Sequence, residues 1–146
     1  MNQTIIPLPL LLYSLVATVI GFYKSKNNQT HSLAHPFYPL GIFVFADALI
    51  IGPFWVITAF FFLVYPSLVL LGLVFSVFWA VRSFGETIYW LNQQFSPIKR
   101  EPPQKFLLYK LVKNDSVWFL HQLIAQVTLV VSLISSVIFL NLYFNP

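Results

Sequence analysis

The chain has 146 residues, of which 58% are hydrophobic and 8% are charged. A water-soluble domain carries about 25% charged residues, so this composition excludes an ordinary soluble domain and predicts an integral membrane protein. The formal net charge of +4 does not indicate a nucleic-acid partner, because the basic residues are grouped beside apolar runs. The chain has no cysteine, which excludes disulfides, thiolate catalysis, zinc–thiolate sites and iron–sulfur clusters.

Several apolar runs are long enough to cross a bilayer, which requires about 20 helical residues. We predict a single membrane domain over residues 1–146, built as an antiparallel bundle of four transmembrane helices. The predicted spans are approximately 5–23, 39–64, 68–93 and 117–143. Basic residues mark the cytoplasmic side of a membrane protein, and here they concentrate in the loops 24–38 and 94–116. Both termini are therefore predicted to lie outside the cytoplasm, with the plasma (inner) membrane as the expected location.

The first apolar run is predicted to be a retained helix and not a signal peptide. A signal peptide has positive charge before its apolar stretch, whereas Lys24 and Lys26 follow the run. Small residues recur at helical spacing within it, at Ser14, Ala17, Thr18 and Gly21. Such a face allows transmembrane helices to approach closely, so we expect it to pack against another helix.

The second span is predicted to begin near Pro39, because proline is favoured in the first turn of a helix. Gly52 and Pro53 fall near its middle. Proline removes a backbone hydrogen bond and crowds the preceding turn, so this pair predicts a helix break. A break at this depth is usually a packing kink, although it is also found at transporter binding sites.

Residues 65–67 are predicted to form a tight outer turn that makes the second and third spans an antiparallel hairpin. The segment 105–113 has an apolar body with lysines at both ends, which favours a short interfacial helix on the inner leaflet. An extension of the fourth helix is the alternative. We expect the inner-leaflet contacts to anionic lipids to come from Lys99, Arg100, Lys105, Lys110 and Lys113.

Ionisable side chains inside a membrane cost about 2.5–3.5 kcal/mol each on insertion scales. The predicted spans contain four such residues, and they all fall in the cytoplasmic half on three different helices. Two glutamines follow the histidine on an adjacent face of the fourth span. Together these residues form a predicted polar intramembrane cluster of Asp47, Arg82, Glu86, His121, Gln122 and Gln126.

Several pairings within this cluster are possible. Arg82 and Glu86 are spaced to pair within one helix, Arg82 could instead reach Asp47, and Glu86 could meet His121. One interpretation is structural, in which the pairs fix the helix register or the side chains extend to the interface. The other is functional, in which a carboxylate beside a histidine relays protons or holds a lipid or quinone headgroup.

More specific chemistry finds little support in the sequence. Haem ligation needs a second histidine inside a span, and a metal site from Asp47, Glu86 and His121 depends on packing that spacing does not define. No nucleophile motif occurs, so we expect no catalytic residue, no metal and no cofactor. The favoured function is a binding or accessory subunit that packs against other membrane proteins or lipid. The alternatives are a proton-linked transporter or channel subunit working as a homo-oligomer, and an intramembrane enzyme acting on lipid headgroups.

Overall fold

The computed structural model describes residues 7–97, 102–106 and 108–145. These residues form helices and connecting segments with no β-strand among them, which confirms the all-α class. They divide into two compact units between Leu71 and Gly72. The α-helices of the described residues are α1 (Pro7–Lys26), α2 (Ala48–Val64), α3 (Leu68–Phe95), α4 (Tyr109–Val112) and α5 (Ser116–Phe144).

Three of these helices, α1, α3 and α5, are long and apolar enough to cross a membrane. The first described residue of α1 is Pro7, so the predicted start of the first span at Ile5 lies outside the described residues. Helix α2 is mostly apolar and has 17 residues, which corresponds to about 25 Å of helix against a hydrocarbon core of about 30 Å. The four-span bundle and the sidedness of the termini therefore remain predictions.

The second helix begins at Ala48 and not near Pro39, which corrects the predicted boundary. Pro39 lies inside a short 3₁₀ helix, His35–Leu40, and Gly41 follows it with a φ of 75°. Because this left-handed conformation suits glycine and ends a helix, the chain turns there. The carboxylate of Asp47 then accepts hydrogen bonds from the backbone N–H groups of Phe43, at 3.0 Å, and Val44, at 3.2 Å. These bonds keep the last residues before Ala48 in a turn.

Small residues bring α1 and α2 together in the first unit, as the sequence predicted. Ser14, Ala17 and Gly21 are buried, and a Cβ atom placed on Gly21 would overlap the Cβ atom of Ala48. A Cβ atom on Gly52 would likewise overlap the Thr18 side chain. The absence of side chains on these two glycines therefore permits the close approach of the helices.

Helix α2 remains helical through Gly52 and Pro53, so the chain does not leave the helix there, and a kink at this pair remains a prediction. Pro53 stands near the N-terminal end of the helix, where its missing N–H removes one hydrogen bond, the bond to the Leu49 carbonyl. Gly52 therefore acts in this fold as a packing contact with α1, and Pro53 is accommodated within the helix.

Helices α3 and α5 of the second unit lie antiparallel. Near one end Ser136 Oγ donates to Ser76 Oγ at 3.1 Å, and near the other Gln94 Nε2 donates to Gln122 Oε1 at 2.7 Å. The buried positions of these helices are mostly small or polar. They include Ser76, Ala80, Ser83 and Thr87 on α3, and Gln122, Ala125 and Ser132 on α5.

The segment before α5 is less helical than the sequence predicted. A 3₁₀ turn, Pro103–Lys105, is followed by the single-turn helix α4. Lys113 has a φ of 53° and ends α4 in the left-handed region. The predicted interfacial helix over 105–113 is thus shortened to four residues, and Lys99 and Arg100 lie outside the described residues.

Candidate functional site

Arg82 and Glu86 form an ion pair on α3, one turn apart. The distance from Arg82 Nη2 to Glu86 Oε1 is 3.2 Å, and the side chains are 23% and 16% exposed. Of the three pairings that the sequence allowed, this is the one within a single helix. Because each charge lies beside its opposite, the pair lowers the cost of placing both groups in an apolar helix.

His121 is held near the start of α5 by its own helix and by two aromatic rings. Its Nδ1 atom lies 2.8 Å from the Val117 carbonyl oxygen. A carbonyl oxygen can only accept a hydrogen bond, so Nδ1 carries the proton. The ring centroids of Trp90 and Phe106 lie 4.6 Å and 5.1 Å from that of the imidazole. The rings of Trp90 and Phe106 are also in contact, at 5.1 Å, so the three rings form one packed cluster.

The two predicted glutamines of α5 differ in their surroundings. Gln122 is buried and accepts the hydrogen bond from Gln94, whose amide nitrogen also donates to the Trp90 carbonyl at 3.0 Å. Gln126 follows one turn later and is half-buried. Gln122 therefore links α5 to α3, as a polar residue between transmembrane helices commonly does.

Asp47 occupies the position immediately before α2. Its carboxylate accepts the two hydrogen bonds described above from the backbone N–H groups of Phe43 and Val44. This bonding organises the turn that leads into the helix. Asp47 belongs to the first unit, whereas the other five residues of the predicted polar cluster belong to the second. Assembly of all six into one site remains a prediction.

The described basic residues of the predicted lipid contact are exposed, namely Lys105, Lys110 and Lys113. Leu111 stands among them with 77% of its surface exposed. An exposed leucine between lysines is the composition expected of the predicted contact with anionic lipid, and that contact remains a prediction.

Within the described part of the chain, no group of three or more His, Asp or Glu side chains could hold a metal ion. Asp47 bonds the backbone before α2, Glu86 bonds Arg82, and His121 packs between rings.

Several structurally important contacts were missed by the sequence analysis. The hydroxyl group of Tyr13 donates to the Pro36 carbonyl oxygen, and Trp55 Nε1 donates to the Leu40 carbonyl oxygen at 2.9 Å. Pro36, Pro39 and Gly41 are turn-forming residues and were a signal against a helix start near Pro39, although they do not indicate these two bonds.

Comparisons with known proteins identify no relative. The chain matches no protein-family model, and neither the curated proteins nor the solved structures contain a significant match.

Proposed function

We propose that the chain is an accessory subunit of a larger membrane complex, inserted in the bilayer and packed against its partner through apolar helical faces. One observation carries this proposal. The outward faces of the helices are built of large apolar side chains, while the polar groups within the helices make local contacts that stabilise this chain.

Helix α5 shows the apolar face most clearly. Val130, Val131, Ile134 and Val137 are 55–67% exposed, whereas Ser132 on another face is buried. Exposed apolar area on this scale suits lipid or another transmembrane helix and would be costly in water. The face is therefore the proposed region of contact with a partner helix.

The polar groups support a structural role for the interior of the chain. The Asp47 carboxylate bonds backbone N–H groups, the Arg82 guanidinium bonds Glu86, and His121 bonds its own helix. Gln122 joins α5 to α3. These contacts resemble those that fix helix register and packing, which is what a binding or scaffolding subunit requires.

The proposed topology has four spans, with α2 as the shortest. Lys24 and Lys26 end α1, and the exposed lysines of 105–113 precede α5. Placing both groups in the cytoplasm puts the two termini outside. The basic residues would then contact the anionic lipids of the inner leaflet, with the plasma membrane as the proposed location.

The test is native mass spectrometry of the protein extracted gently from its own membrane, combined with photo-crosslinking. A photoreactive amino acid replaces Val130, which is 55% exposed, and in a matched control replaces Ser132, which is 6% exposed. We expect a stoichiometric larger protein that crosslinks through position 130 and not through position 132. A homo-oligomer of this chain alone would contradict the accessory role.

A proton-linked transporter or channel subunit is the second candidate. The observation that favours it is the position of Arg82 and Glu86 well inside a candidate span, with part of each side chain still exposed. On this proposal Glu86→Gln abolishes substrate-dependent proton flux in proteoliposomes while the protein still elutes as a folded species. Unchanged flux in that variant would count against it.

A further inference from the structure

The connection between α1 and α2 folds back on itself as a hairpin. The N–H group of Ala34 donates to the Phe43 carbonyl oxygen at 2.9 Å, and that of Ala46 donates to the Thr30 carbonyl oxygen at 2.9 Å. Residues 30–46 therefore form two antiparallel legs, joined through the 3₁₀ helix His35–Leu40. We refer to residues 30–46 as the hairpin segment and to His35–Leu40 as its tip.

Two side-chain hydrogen bonds locate the tip against the helices. The Tyr13 hydroxyl on α1 donates to the Pro36 carbonyl oxygen, and the buried Trp55 indole on α2 donates to the Leu40 carbonyl oxygen at 2.9 Å. The tip consequently lies at the level of Tyr13 and Trp55, which are both well inside their helices.

The open end of the hairpin segment lies nearer the basic end of α1. A Cβ atom on Gly21 would stand 3.3 Å from the Phe45 carbonyl oxygen. Gly21 and Tyr13 are separated by about 12 Å along α1 at a rise of about 1.5 Å per residue. The hairpin segment therefore extends about 12 Å along the helix pair, away from Lys24 and Lys26.

The surfaces of α1 and α2 at the level of the tip are apolar. Leu12, Val16, Phe54 and Ile57 are between 39% and 69% exposed. Helix α1 is also a candidate membrane span. A ring of exposed apolar side chains at this level is expected in the hydrocarbon region and not in the headgroup region.

The chemistry of the tip suits a low-dielectric environment. Pro36 and Pro39 have no backbone N–H group to satisfy, and the N–H groups of Phe37 and Gly41 donate to the carbonyls of Ala34 and Tyr38 at 2.8 Å. Non-helical backbone is tolerated at membrane depth where its polar groups are bonded and protein buries it. The buried apolar side chains of the hairpin segment are Ala34, Phe37, Leu40, Ile42 and Phe45, whereas His35, Pro36 and Pro39 at the tip are exposed.

We propose that the hairpin segment is re-entrant: it enters and leaves the membrane at the surface that carries Lys24 and Lys26, and its tip is shielded from water within the hydrocarbon region. This inference rests on the proposed membrane insertion of the first unit. It differs from the sequence prediction, which placed residues 30–38 in a simple cytoplasmic loop and residues 39–46 in the second span.

The test uses single-cysteine variants, which the chain allows without background because it has no cysteine of its own. His35→Cys and Tyr38→Cys report on the tip, Gln29→Cys on the exposed loop, and Val16→Cys on the outer face of α1 at the same level as the tip. Each variant is treated in unsealed membrane fragments, in which a membrane-impermeant maleimide reaches both faces of the bilayer, and again after denaturation in SDS.

We expect Gln29→Cys to react in the unsealed membrane fragments. The two tip variants and Val16→Cys should react at about one tenth of the rate of Gln29→Cys, or still more slowly. The reason is that the thiolate that attacks the maleimide does not form away from water. All four should react after denaturation. Two tip positions are used so that a folding defect in one, detected by gel filtration, leaves the other informative.

The outcomes separate the two proposals. If the tip variants react as fast as Gln29→Cys while Val16→Cys stays protected, the re-entrant segment is overturned and membrane insertion stands. If Val16→Cys also reacts fast, membrane insertion of the first unit is itself overturned.

Discussion

The indole N–H of Trp55 donates to the carbonyl oxygen of Leu40 over 2.9 Å, at a site with no solvent exposure of the tryptophan. Trp55→Phe keeps an aromatic ring but leaves the Leu40 carbonyl without this donor. A buried polar group that loses its partner costs about 1–3 kcal/mol. We expect a corresponding loss in the free energy of unfolding, measured by SDS titration of the protein in mixed micelles.

Phe60→Leu serves as the control for this measurement, since Phe60 lies on the same helix and is 63% exposed. It should leave the unfolding free energy within about 0.5 kcal/mol of the parent value. Equal losses in the two variants would show that the Trp55 hydrogen bond does not contribute specifically to stability.

Two glycines should respond in opposite directions to alanine. Gly52→Ala places a methyl group against Thr18, and such overpacking costs about 1–3 kcal/mol. Gly85→Ala on α3 meets nothing within 4 Å, so it should stabilise by about 0.5–1 kcal/mol through the higher helix propensity of alanine. Thermal unfolding midpoints of the two variants, measured side by side, check the prediction. Midpoints that shift in the same direction would contradict it.

The Arg82–Glu86 pair should behave as a structural unit. Removing one charge, as in Arg82→Leu, takes the guanidinium away from the Glu86 carboxylate in an apolar helix, and we expect a loss of about 1–3 kcal/mol. The double variant Arg82→Leu, Glu86→Leu should recover most of that stability because no unpaired charge remains. A double-mutant cycle of unfolding free energies measures the coupling. A double variant that is less stable than either single variant would refute the structural interpretation.

Phe106 should control access to the segment before α5. Its ring packs against Trp90 and His121 and is 8% exposed, so Phe106→Ala removes the contacts that hold this segment. We expect cleavage by trypsin after the neighbouring lysines to accelerate about tenfold, because local opening precedes proteolysis. The time course of limited proteolysis is followed by mass spectrometry.

Leu111→Ala provides the matched control for the proteolysis experiment, because Leu111 is 77% exposed and its truncation removes little packing. Its cleavage rate should stay near that of the parent. Similar acceleration in both variants would indicate that general instability, and not the loss of the aromatic cluster, exposes the segment.

The sequence was sufficient to predict the helical class and most helix positions, because apolar length alone marks a membrane span. It also identified the small face of α1, since glycine and serine at helical spacing have a direct packing consequence. The predicted start of α2, near Pro39, was nine residues too early. The stretch from Leu40 to Ala46 is apolar like the helix that follows, so hydropathy does not separate the two.

The deciding contacts for that boundary are tertiary. The Trp55 indole N–H donates a hydrogen bond to the Leu40 carbonyl oxygen, and the Tyr13 hydroxyl group on α1 donates one to the Pro36 carbonyl oxygen. No local sequence pattern predicts either hydrogen bond. Asp47 was a usable signal for the start of α2, because aspartate is common at the position just before a helix. Its place inside the predicted second span grouped it with the polar cluster instead. Of that cluster, the within-helix pair Arg82 and Glu86 was predictable from spacing, whereas the enclosure of His121 by Phe106 depends on how a distant segment folds.

The two polar contacts between α3 and α5 also determine where this chain can accept a change in length. An inserted residue between Gln122 and Ser136 would rotate the following part of α5 by about 100°, carrying Ser136 away from Ser76 and turning valines toward α3. An insertion in the exposed stretch around Lys110 would leave both contacts intact. Natural variation in length, and any epitope or fluorescent tag, should therefore be accommodated in that stretch and excluded from the interior of α5.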